Sequence, residues 1–200
     1  MDKPDIRLIF DKRIPNEFFE DFESTIKSEG LNFMVASREP TGAMACPEWF
    51  IFPVIAAFIS KSYFDGFLKE MGKDHYHKFK ESLANLTTKV MTTPRIEPTL
   101  ISSQGKVSSN NPFSLAFSIH ADAENGYTFK LLIPKSVTGS EYGLIANRFV
   151  EFLSDYHLGL ETLETIGCAW QSARPPSNMI FVHYNREKDA IEWLDEKNYR

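Results

Sequence analysis

The sequence predicts an α+β domain: a mixed or antiparallel sheet of about five to six strands packed against helices. Three observations carry this expectation. A β-α-β unit opens the chain, a hairpin with a testable register lies in its second half, and a helix with a single apolar stripe follows that hairpin. The full order, β-α-β, long helical insert, β-hairpin, helix, β, does not fit a regular parallel α/β fold. The 200 residues suit one domain, 1–200, with 41–91 a mainly helical insert. Hydrophobic residues make up 42% of the chain, 17 of them Phe, so a core forms without disulfide staples.

Residues 6–10 are a short apolar run and read as the first strand. The turn Ile14-Pro15-Asn16 leads into a helix, with Asn16 as N-cap and Glu17, Glu20 and Asp21 near its positive end. Phe18, Phe22 and Ile26 recur every four residues on one face, and Gly30 takes the C′ position. Residues 31–36 form the second strand. No glycine-rich phosphate loop occupies the strand-to-helix turn, which excludes a dinucleotide fingerprint there.

The insert reads as mostly helical. Pro47 suits a first helical turn, and 49–59 is an apolar helix that Pro53 kinks or restarts. Residues 62–86 alternate apolar and charged positions, with Gly72 a bend between two helices. Thr93-Pro94 and Glu97-Pro98 permit only an extended path, so 96–102 reads as an edge strand and 103–112 as a polar loop.

Phe113, Leu115, Phe117 and Ile119 alternate with smaller or polar residues, the pattern of a half-buried strand. Its return strand puts Phe129, Leu131 and Ile133 on one face. A two-residue Asn125-Gly126 loop would set Ile119 beside Leu132 and mix the faces. A three-residue loop from Glu124 to Gly126 pairs Phe117 with Ile133, Ile119 with Leu131 and His120 with Lys130, and the faces agree. The longer loop is therefore expected, with Gly126 left-handed. Ser140 caps a helix over 140–157, striped by Tyr142, Ile145, Phe149, Phe152 and Tyr156, with Gly159 just beyond it. Residues 160–166 read as a short helix, Arg174-Pro175-Pro176 as a loop and 179–184 as the last strand. The tail 189–195 fits a helix or a second hairpin arm, and its Glu, Lys and Ala favour helix.

Lys and Arg number 22 against 27 Asp and Glu, a net charge of −5 with no basic run, so nucleic acid is not an expected partner. Cys46 and Cys168 match no metal or redox spacing and read as buried thiols. The polar start lacks a signal peptide's apolar core, so a cytoplasmic protein is expected. His75 and His77 stand two apart on a helix and point away from each other, which excludes a shared metal. No cofactor motif is present. His120, Asp122 and Lys130 would converge on the hairpin's polar face, where a histidine beside a carboxylate can act as general base; the plainer reading is a face looking at water.

Apolar on nearly every side, the run reads as a central core helix or as partly a sticky surface. The second supplies the preferred function, a non-catalytic interaction module, self-associating or docking on a larger protein through Trp49, Phe50, Phe52, Phe58 and Tyr63. A small-molecule-binding protein or enzyme with a pocket between sheet and helices is the alternative, with His120, Asp122 and Lys130 as its catalytic candidates. In a third reading the apolar helix is released to perturb a membrane. As a helix it spans only about 16 Å of the roughly 30 Å of hydrocarbon, so it does not cross a bilayer alone.

Overall fold

A computed structural model describes residues 3–40, 48–93, 111–168 and 178–195. It shows an α+β fold built on a mixed seven-stranded sheet with strand order β2-β1-β3-β4-β5-β6-β7. The strands are β1 (Ile6–Asp11), β2 (Phe33–Arg38), β3 (Ile55–Ile59), β4 (Phe117–Asp122), β5 (Thr128–Leu131), β6 (Met179–Asn185) and β7 (Ala190–Trp193). The helices are α1 (Glu20–Ile26), α2 (Leu68–Thr92) and α3 (Gly139–His157). Each helix joins two adjacent parallel strands: α1 joins β1 to β2, α2 joins β3 to β4, and α3 joins β5 to β6. Antiparallel pairings of β1 with β3, β4 with β5 and β6 with β7 complete the sheet.

Alternation along the strands sends Leu8, Ala57, Ile119, Leu131 and Val182 into one core with Phe22, Phe79, Leu83 and Phe149 of the three helices. α2 lies between α1 and α3 and touches both. The opposite sheet face carries a smaller cluster of Trp49, Phe113, Leu132, Phe181 and Leu194.

The hairpin has the expected register, with Ile119 opposite Leu131 and His120 opposite Lys130, and Gly126 is left-handed at φ 76°. The ladder stops short of Phe117 and Ile133, and the two chains meet again at the bridge Phe113–Pro134. Gly72 does interrupt the long helix, at φ 75° and ψ −169°. The aromatic stripe of α3 is buried as expected.

Several expectations are corrected. The sheet has seven strands rather than five or six. The apolar segment 49–59 is not a helix: a 3₁₀ turn, Glu48–Phe50, precedes Pro53, and β3 follows. β3 is buried on both faces, and such strands are continuously apolar, a pattern that a buried helix shares. Asn16 does not cap a helix, because the chain enters α1 through the 3₁₀ turn Asn16–Phe19 whose cap is Pro15. Gly30 sits in the turn before β2 and not at C′, since α1 already ends at Ile26. Thr138, not Ser140, precedes α3, and the Glu141 carboxylate reaches back to its N–H at 3.0 Å. Residues 160–166 are turns rather than a helix. The tail after Asp189 is the strand β7, because its pairing with β6 buries Ile191, and tertiary pairing overrides the helical preference of Glu and Lys. The proposed edge strand 96–102, Cys46, Pro47 and Arg174 lie outside the described residues.

Candidate binding cleft

The sheet face remote from the helices is not a polar surface. Arg7, Phe58, His120 and Lys130 stand side by side on β1, β3, β4 and β5. The Arg7 guanidinium lies over the Phe58 ring at 4.5 Å, and that ring stacks on His120 at 4.7 Å. Phe52 flanks the same histidine at 6.2 Å. His120 is buried, and its Nε2 has no hydrogen-bond partner among the described residues. Burial first, then the charges of Lys130 and Arg7, hold its pKa well below the ordinary histidine value. Lys130 is buried too, with its ammonium donating to the carbonyls of Trp49 at 2.6 Å and Ile51 at 2.8 Å. Asp122 instead meets Lys3 at 2.6 Å and accepts the Lys61 N–H at 3.1 Å. The register thus brings His120 beside Lys130, while the carboxylate of Asp122 serves the strand's end. The charges acting on the imidazole come from Lys130 and Arg7, and among the described residues no carboxylate pairs with it.

The five aromatics singled out from sequence divide in the same way. Trp49 is buried against Phe113 and Phe181 on the far face, and Tyr63 is buried in the main core. Phe50, Phe52 and Phe58 are half-buried. Tyr63 accompanies His75, whose Nε2 donates to the Ile26 carbonyl at 2.9 Å while Nδ1 faces the Tyr63 hydroxyl at 3.3 Å. His75 is therefore a tie between α2 and the end of α1, with both ring nitrogens engaged.

A concavity lies elsewhere, where α2 and α3 part. The two helices run antiparallel. At one end Gly143 lets them touch, since a Cβ there would lie 3.3 Å from the Thr88 hydroxyl and 3.6 Å from the Ala84 methyl. Further along, Lys80 reaches Glu151 at 2.7 Å. At the other end the contacts are made by rings: the Tyr76 phenol bonds Ser154, and Phe64 stacks on His157 at 4.7 Å. The chain there is irregular, with a π turn, Tyr63–Phe67, leading into α2 and the Gly72 break one turn later. Both depart from the 3.6-residue repeat, and such departures re-aim side chains away from a regular groove.

The result is a cleft of about 730 Å³. Phe64, Leu68, Tyr76 and Leu158 give it apolar walls, and Lys69, Lys73 and His77 stand along it. Burial pushes the Tyr76 phenol up to about 12, so it stays a neutral donor. Burial likewise lowers the His157 pKa; a hydrogen bond ties the ring to the Asp122 backbone, while Nε2 is buried and unpartnered among the described residues. A second cleft of about 630 Å³ beside Gly139 is bordered by Asn85, Thr88, Ser140 and Asn147 and lacks aromatic walls. Among the described residues no three His, Cys, Asp or Glu side chains are placed to hold a metal ion, and no helix is long and apolar enough to cross a membrane.

Sequence reasoning missed this cleft. Gly72 was visible as a bend, but Ser154, His157 and Leu158 reach it from a helix more than 70 residues later. Comparison with protein-family models, with curated proteins and with solved structures finds no match for this chain.

Proposed function

We propose that this is a non-catalytic binding protein that takes a small amphipathic molecule in the cleft between α2 and α3. The observation that carries the reading is the apolar-walled space of about 730 Å³ at the point where α2 gives up helical geometry. Ligand sites are concavities of this size with apolar walls and a few polar groups. Docking of a protein partner through residues 49–59 is the weaker proposal, because Trp49 is buried and only Phe50, Phe52 and Phe58 retain partial exposure.

The test is a fluorescence titration with N-phenyl-1-naphthylamine, a neutral apolar probe that brightens on leaving water. The expected result is saturable binding that Ser154→Trp, which fills the cleft, abolishes. Leu158→Glu changes a residue that is 66% exposed, so it spares the fold and should weaken the probe as well. Binding that neither substitution touches overturns the proposal.

A further inference from the structure

Resting on that reading, we propose that the ligand is an anionic amphiphile, an alkyl or aryl body carrying one acid group. The cleft's apolar walls account for the body: Phe64, Leu68 and Tyr76 from the α2 side, and Leu158 from the end of α3. The acid follows from the balance of charge along the cleft. Asp65, the carboxylate within the lining, is met by Lys61 at 3.4 Å. Of the two α3 carboxylates whose charge also reaches Tyr76, Glu151 is paired with Lys80 and Arg148, and Asp155 stands outside the lining. Lys69 and Lys73 both line the space and are exposed, and neither pairs with a carboxylate among the described residues. Elsewhere on the same stretch Lys80 is engaged by Glu151 and Lys89 by Asp21 at 3.9 Å.

Two unneutralised ammonium groups therefore border an apolar space in a chain whose net charge is −5. A chain of net charge −5 repels an acid at long range, so the attraction is local to the two lysines, and an apolar wall beside them strengthens it over its value in bulk water. A cationic amphiphile of the same length gains the same apolar contact and meets the opposite field. The Gly72 break lies between Lys69 and Lys73, so the feature that opens the space also separates the two cations along its wall.

The experiment is displacement of bound N-phenyl-1-naphthylamine by decanoate and by decyltrimethylammonium, each below its micelle-forming concentration. Decanoate is expected to displace the probe at about tenfold lower concentration, a difference set by head-group charge alone. In the double variant Lys69→Gln/Lys73→Gln the two should become equivalent. The ratio is read on each protein separately, so a change in overall affinity cancels. Equal displacement by the two amphiphiles, or a preference that survives in the double variant, overturns the acid while leaving the cleft intact. Failure of the neutral probe to bind overturns the cleft itself.

Discussion

α2 and α3 rest on the same sheet and against each other, yet they are built differently. α3 runs 19 residues without a break, and Glu141 satisfies the Thr138 N–H at its start. Tyr142, Ile145, Phe149, Phe152 and Tyr156 fall on one buried stripe. α2 begins in a π turn without a side-chain cap and breaks at Gly72. Only beyond the break does it settle, with the hydroxyls of Thr87, Thr88 and Thr92 donating back to carbonyls four residues earlier. The difference teaches where a concavity arises: beside a regular neighbour that holds its position, at the point where the other helix departs from its repeat. A rigid wall and an irregular one together make a cleft, whereas two regular helices close on each other as they do at Gly143.

The comparison breaks if the supporting helix proves dispensable. Phe149 is fully buried in α3, and Phe149→Ala should cost about 3–5 kcal/mol in urea-induced unfolding. A loss below about 1 kcal/mol, the level of a surface change, would show that α3 is not the frame. Next in size is Gly72→Ala. No atom would meet the added Cβ, so the cost is conformational alone, about 1–3 kcal/mol for a backbone geometry that only glycine adopts readily. Binding of the neutral probe should fall with it. Unchanged stability and unchanged binding would mean that the break does not shape the cleft.

The sheet beneath both helices gives the third prediction. His120 has a folded pKa well below its unfolded value near 6.5, so the unfolded chain binds the extra proton first. Its contribution is intact above about pH 6.5 and is lost as pH falls below that value, with a slope approaching about 1.4 kcal/mol per pH unit. The half-buried His157 and His183 are shifted in the same direction, also chiefly by burial, and should add less. Unfolding free energies at pH 5, 6 and 7 should show this slope, reduced in His120→Phe; an identical slope in the variant would contradict the assignment. The smallest effect is expected at the start of α3. The Thr138 hydroxyl donates to Glu141 at 2.9 Å, and Thr138→Ala should cost about 1 kcal/mol by thermal unfolding without altering probe binding.

Much of α3 and the hairpin could be read from sequence because one buried face leaves a strict period: four-residue recurrence in the first, alternation in the second. The pairing of His120 with Lys130 followed from requiring faces to agree. The run 49–59 could not be resolved in that way. Its residues are apolar on both sides because β3 is covered on both sides, and a pattern without polar positions has no period. β7 was misread for the opposite reason, since Glu192 and the surrounding polar residues report solvent exposure more than backbone preference. Of the candidate site, Gly72 alone announced itself. The cleft depends on which helix lies opposite, and spacing along one segment carries nothing about a neighbour folded against it from far along the chain.

Hydrogen exchange measured by mass spectrometry, with and without N-phenyl-1-naphthylamine, tests the cleft most directly. Slowed exchange is expected in peptides covering 61–77 and 152–160 together, with the strands 6–11 and 117–122 unchanged. Protection absent from both helical segments, or confined to the sheet around Phe58 and His120, would contradict it.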